Sequence, residues 1–321
     1  MPPRIDQRLK LCWDEQVRIL ISGASGLLGL NLALEAAASG HDVFGIVHKH
    51  ALQTDAFHVI VADLLVPGAL EQILSQTQPD WVIHCAALAV VDACEADPEL
   101  AQKLNSDLPG ELAQHVAKGG ARLLHISTDA VFDGQRGNYT ELDLPNPLSV
   151  YAKTKLAGEQ AVANANPNAI IARVNLYGWS LSEKRSLAEF FFYNLQKKNP
   201  VKGFTDVYFC PLLANDLAHI LLKMLSLNLQ GLYHAVSSQC LSKYEFGLAL
   251  ARRFGLDASL IIPTSVEQSG LKAIRSTRLT LNSEKLAQAL GESLPALSPG
   301  LDRFYTLYQQ GYPQQLTRLA E

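Results

Sequence analysis

Tyr151 and Lys155 stand four positions apart in the stretch Tyr151-Ala152-Lys153-Thr154-Lys155. On a helix that spacing puts both side chains on one face, one turn apart. A phenol is a weak acid near neutrality, with a reference pKa of about 10, and an ammonium beside it favours the phenolate and lowers that value. Such a pair close to a hydride donor can deliver a proton as the hydride arrives. The spacing alone also describes many solvated helix faces, so two further stretches decide how it is read. Ser127-Thr128-Asp129 offers a hydroxyl and a carboxylate, and Gly23-Ala24-Ser25-Gly26-Leu27-Leu28-Gly29 has the glycine spacing of a phosphate-cradling loop.

These residues need elements to hold them. Val17 to Ser22 is a short β-branched-rich run ending at glycine, which reads as a buried strand. Leu27 to Ala38 reads as a helix with Gly40 at its C-terminal end. Between them, Gly23 allows a tight turn, Gly26 lets the backbone approach a pyrophosphate, and Gly29 lets helix and strand pack closely. The pyrophosphate would rest on the helix N-terminus, around Ser25, Leu27 and Leu28, where free N–H groups and the dipole favour anions. A second strand, Asp42 to Val47, ends in His48-Lys49-His50. The residue after that strand meets the adenosine ribose in this architecture, and basic groups there suit a 2′-phosphate. His48 and Lys49 therefore favour NADP(H), with NAD(H) still allowed. The third strand, Val59 to Leu64, would set Asp63 and Leu64 beside the adenine, although Asp63 serves equally well as a helix N-cap. The fourth, Trp81 to Ala87, ends in Cys85, Ala86 and Ala87, small enough for a flat ring to lie on the backbone. A helical stretch from Pro98 to Lys118, kinked or broken at Pro109, leads to the strand Arg122 to Ser127. The alternation predicts an α/β fold, a doubly wound parallel sheet with ligands at the strand C-terminal ends. Ser127-Thr128-Asp129 falls at such an end.

The 321 residues are 48% hydrophobic and 18% charged with a formal net charge of −4, an ordinary globular balance that suggests neither nucleic-acid nor membrane-surface binding. Cys12, Cys85, Cys94, Cys210 and Cys240 form no C-x-x-C pair and are odd in number, which favours buried reduced thiols of a cytoplasmic protein over disulfides or a metal site. Residues 1–16 read as a short extension with neither a signal peptide nor a membrane span.

Gly23 to Gly29, Asp80 to Ala87, Ser127 to Gly134, Pro147 to Glu159 and Arg173 to Gly178 together resemble the extended short-chain dehydrogenase/reductase superfamily, and within it the dTDP-4-dehydrorhamnose reductases. The resemblance implies that Thr128, Tyr151 and Lys155 are the catalytic set. Tyr151 would protonate the developing alkoxide, Thr128 would hydrogen-bond the same carbonyl oxygen, and Lys155 would bind the nicotinamide ribose and depress the Tyr151 pKa. Thr128, Asp129, Asn175, Arg275 and Arg278 would contact the substrate, Arg275 standing where the reductases carry an Arg-Pro motif, here followed by Ser276. Asn105 matches an asparagine near the cofactor, with a helix-face structural role as the alternative; His125 reads as a core histidine. Relatives that dehydrate sugar nucleotides carry a glutamate where this chain has Ala130, so reduction is favoured; the reductases usually have tyrosine there, a departure from the pattern. The dinucleotide-binding domain is expected over 17–175 with about 207–235, and a smaller, mostly helical substrate lobe over about 176–206 and 236–321. The expected partner is a nucleotide-sugar substrate, with a homodimer compatible. Two alternatives stand beside the reductase: a nucleotide-sugar epimerase that retains its cofactor, and a non-catalytic binding subunit like that of methionine adenosyltransferase.

Overall fold

The computed structural model describes residues 16–49, 52–269 and 276–320. The expected extension at 1–16 lies outside them except for Gln16. In chain order, β1 (Arg18–Ser22), α1 (Leu27–Ala38), β2 (Asp42–Val47), β3 (His58–Val61), α2 (Ala69–Thr77), β4 (Trp81–His84), α3 (Val91–Ala96), α4 (Pro98–Gln102), α5 (Leu108–Gly119), β5 (Arg122–Thr128), α6 (Val150–Ala165) and β6 (Ile170–Val174) alternate as expected. Then follow β7 (Leu176–Tyr177), α7 (Leu187–Gln196), β8 (Val201–Phe204), β9 (Tyr208–Phe209), β10 (Leu212–Leu213), α8 (Ala214–Ser226) and β11 (Gly231–Ala235). The chain closes with β12 (Leu241–Ser242), α9 (Lys243–Phe254), β13 (Ile261–Thr264), β14 (Arg278–Leu279), α10 (Glu284–Leu290), α11 (Leu297–Gln309) and α12 (Tyr312–Arg318).

The main sheet has seven strands in the order β11-β6-β5-β4-β1-β2-β3, and every pairing in it is parallel. Both faces are covered, which explains the unbroken apolar runs. Alternate residues feed opposite cores: Ile19, Ile21, Trp81 and Ile83 enter the one shared with α1 and α8, while Leu20, Val82 and Leu123 enter the one shared with α2 and α5. The short strands of the second half form separate small sheets, β12-β9-β14, β13-β8 and β10-β7.

The stretch from Pro98 to Lys118 is not one helix. A π turn, Lys103–Asp107, lies between α4 and α5, and Pro109 follows directly at the start of α5, where the widened turn accommodates a residue without an N–H. The cysteines also depart from expectation. Cys210 and Cys240 are joined as a disulfide, tying the β9–β10 strip to the start of β12, while Cys85 and Cys94 are free thiols. No spacing signal marks that pair, because antiparallel pairing of β9 with β12 is what brings the two cysteines together. Among the described residues no helix is long and apolar enough to cross a membrane, and no cluster could hold a metal ion.

A buried charged cluster joins distant parts of the chain. Glu35 of α1, 2% exposed, accepts 2.7 Å from Arg303 Nη2 of α11 and 2.8 Å from Asn215 of α8, and lies 3.0 Å from His219. Arg303 reaches Asp216 through Nη1 at 2.7 Å. Those partners hold the Glu35 carboxyl below its usual value although burial pushes it up.

Candidate active site

The C-terminal ends of β1, β4, β5 and β6 open into one crevice of about 410 Å³. Gly23, Gly26, Leu27, Leu28 and Gly29 line one wall, Cys85 and Ala87 the floor, and Thr128, Asp129, Tyr151, Lys155 and Asn175 the other side. Gly23 has φ +69°, and a Cβ there would sit 2.8 Å from the Ala86 backbone nitrogen, so only glycine fits. A Cβ on Gly29 would collide with the Gly23 carbonyl. Helix α1 starts at Gly26 with no side-chain cap and no acidic residue in its first turn. Its first N–H groups therefore face the crevice without a side-chain partner, which suits an anion. Beneath this wall, Ser22 Oγ accepts from the backbone N–H groups of Cys85 and Ala86, each at 3.2 Å, and lies 2.7 Å from His84 Nδ1. Having accepted twice, the hydroxyl gives its hydrogen to His84, whose pKa burial lowers to about 3. His125 is fully buried and stacks on His84 at 5.4 Å, the core role expected of it.

Tyr151 lies in the first turn of α6, which Ser149 caps by accepting from Ala152 N at 3.2 Å. The Tyr151 phenol shares the crevice with Thr128, whose Oγ1 accepts from Ala130 N at 3.2 Å and donates to Asp129 Oδ1 at 3.1 Å. Lys155, 3% exposed, donates 2.7 Å to the Ile126 carbonyl. The electrostatics correct one expectation. Lys155 does not depress the Tyr151 phenol here: burial dominates and pushes it up to about 12, with the Thr128 hydrogen bond opposing and Asp129 adding to the rise. Burial likewise lowers the Lys155 ammonium to about 8, against the pull of Glu159. The phenol is a neutral donor holding its proton, and the lysine titrates near physiological pH. Asp129, 4% exposed, is pushed up to about 6 by burial, although Asn175 Nδ2 donates to it at 2.5 Å and Lys243 draws it down.

Two structural devices place α6 against β5. Glu159 takes a bidentate pair from Arg173, Nε at 2.9 Å and Nη2 at 2.7 Å, and accepts from Ser127 Oγ at 2.5 Å, all buried. The π turn presents Asn105, whose amide oxygen accepts from Leu88 N at 2.9 Å and whose nitrogen donates to the Leu88 carbonyl and to Thr154 Oγ1, both at 3.1 Å. Asn105 thus clamps the segment after β4 to α6, the structural alternative for this residue.

The remaining expected contacts divide. Ser25, His48 and Lys49 line an adjoining pocket of about 530 Å³, closed from the far side by Leu181, Ser182 and Arg185. Asp63 is exposed; it accepts from Leu65 N at 2.9 Å, capping its own turn rather than a helix, and lies 3.6 Å from His48. Strand β3 ends at Val61, so Leu64 packs against the α2–α5 core instead of the crevice. Arg275 lies outside the described residues, and Arg278 is exposed on β14, away from the crevice lining. Arg185 lines both pockets and has no motif to announce it; a lone arginine in a polar loop carries no sequence signal.

The RmlD substrate binding domain family model matches residues 17–310. A probable low-salt glycan biosynthesis reductase, Agl14, of Haloferax volcanii is 32% identical over 286 residues, covering 88% of this chain and 95% of that protein. Methionine adenosyltransferase 2 subunit beta of Bos taurus is 34% identical over 255 residues, covering 77% and 75%. Among solved structures, dTDP-4-dehydrorhamnose reductase from Bacillus anthracis in complex with NADP superposes with a TM-score of 0.81 at 26% identity, covering 91% of this chain and 99% of that one.

Proposed function

Because the chain belongs to the RmlD substrate binding domain family of extended short-chain dehydrogenase/reductases, we propose that it is an NADPH-dependent reductase of a 4-keto sugar nucleotide. The observation that carries this reading is the gathering of Thr128, Tyr151 and Lys155 in one crevice with the uncapped glycine turn. The residues present fit a dinucleotide: Gly23 admits a close backbone approach, α1 offers N–H groups to a pyrophosphate, and His48 and Lys49 line the pocket on the ribose side. A bound nicotinamide supplies the hydride. Thr128 and Tyr151 both present hydroxyls to one carbonyl oxygen, fixing its position before the chemistry. Tyr151 keeps its proton at neutral pH and gives it to the oxygen as negative charge develops there. Lys155, with a pKa of about 8, can return a proton to the phenolate that remains. Asp129 and Asn175 form a polar edge beside the carbonyl, where a sugar hydroxyl can hydrogen-bond. Residues 176–206 and 236–321 would close over the nucleotide-sugar.

Oxidation of NADPH and NADH, followed in parallel at 340 nm against a panel of 4-keto nucleotide-sugars, tests the proposal; one NADPH consumed per product supports it. Conversion without net consumption would mean an epimerase. Identity to the methionine adenosyltransferase subunit favours a second reading, a binding subunit. No turnover with any keto-sugar, together with stoichiometric capture of a protein partner, would select it.

A further inference from the structure

We propose that Arg185 binds the phosphomonoester on the adenosine ribose of NADP(H), closing the cofactor site from the substrate side and setting the choice of NADPH over NADH. The proposal rests on the dinucleotide reading above and assigns to it a residue from outside the glycine turn and the β2 tip.

Arg185 belongs to the segment between β7 and α7, and that segment is held firmly at both ends. Glu189 of α7 is fully buried, and its carboxylate accepts from Ser180 N at 2.6 Å, Ser180 Oγ at 2.9 Å, Arg185 N at 2.9 Å and Ser186 N at 3.1 Å. Ser186 Oγ in turn donates 2.7 Å to the Gly178 carbonyl. These bonds fold residues 180–186 into a strap whose Leu181 and Ser182 face the pocket holding His48 and Lys49. The backbone of Arg185 is thereby fixed, while its exposed guanidinium makes no hydrogen bond or ion pair with any described residue. An arginine placed so firmly and left without a partner is poised for a ligand.

The charges around it define that ligand. His48, Lys49 and Arg185 line one pocket, and no aspartate or glutamate lines it with them. Lys49 makes no ion pair with any described residue, whereas His48 lies 3.6 Å from Asp63. Two permanent cations on opposite walls suit a phosphate dianion, and a guanidinium fork can hold two of its oxygens at once. Arg185 also borders the inner crevice, where the pyrophosphate would lie. There, however, the first-turn N–H groups of α1 already serve, and the other cations stand in the outer pocket.

Dissociation constants for NADPH and NADH, measured by isothermal titration calorimetry on wild type, Arg185→Gln and Arg185→Lys, test the assignment without any keto-sugar. Loss of one charge-assisted contact at an exposed site should weaken NADPH binding about 10-fold in Arg185→Gln while NADH changes by less than about 2-fold, with Arg185→Lys between. Unchanged melting temperatures would show that the fold is intact, as an exposed side chain predicts. Equal weakening of both dinucleotides would make Arg185 a pyrophosphate ligand and overturn the assignment, as would no weakening of either. If wild type binds neither dinucleotide, the dinucleotide reading fails with it, and that result is separate because it needs no variant.

Discussion

Asp129 is the group whose removal should tell most. It is 4% exposed and its pKa is pushed up from 3.8 to about 6, so burial outweighs the Asn175 and Thr128 hydrogen bonds. Because the folded value is raised, the folded state holds an extra proton between pH about 4 and about 6. Stability from this group is fully present below the unfolded pKa, is lost as pH rises through about 6, and stays low above. Two pKa units correspond to about 3 kcal/mol. Asp129→Asn removes the charge but keeps the shape, and the Asn175 amide can turn to accept from it. The variant should therefore match wild type near pH 4 and exceed it by about 1 to 3 kcal/mol at pH 8. Urea unfolding of both proteins at pH 4, 6 and 8 isolates the effect, since every other titrating group is common to the pair. A difference that is flat with pH, or a variant less stable at pH 8, would refute the reasoning. If the gain comes together with a fall in turnover, a destabilising carboxylate is being kept for substrate.

Tyr151→Phe should lower kcat by about 100-fold or more while the NADPH dissociation constant moves by less than about 2-fold; a near-wild-type rate in stopped or steady-state assays would remove Tyr151 from proton transfer. Arg173→Met leaves Glu159 buried without its cation and should cost about 3–5 kcal/mol in urea unfolding, most of it recovered in the double variant with Glu159→Met; a loss below about 1 kcal/mol would mean the pair does not hold α6 to β5. Reducing the Cys210–Cys240 bridge, which spans 30 residues, should lower stability by about 2–4 kcal/mol, read as a shift of the unfolding midpoint with added thiol; Cys240→Ser should show no such shift.

The first half of this fold was open to reading because its signals are local. A glycine turn after a β-branched run, a helix from Leu27 to Ala38 and the alternation of strand with helix each depend on neighbours in the chain, and each stands where expected. The Ser242-x-x-Glu245 capping box that opens α9 is a signal of the same local kind. What escaped depends on residues far apart. The Cys210–Cys240 bridge exists because β9 pairs with β12, and Arg185 reaches the pocket of Ser25, His48 and Lys49 only because Glu189 folds its segment back. The direction of the Tyr151 shift escapes the sequence for a related reason: helical spacing gives the distance to Lys155, but burial decides the sign, and burial is a property of the assembled crevice.

The Glu35–Arg303 contact spans 268 positions and sets a rule for anyone who would cut or recombine this chain. Helix α1 is bolted to α11, so a fragment ending after β11 would leave Glu35 buried without its arginine. Chimeras that graft a foreign C-terminal segment must import a matching arginine with it, or exchange Glu35 for an apolar residue at the same crossover.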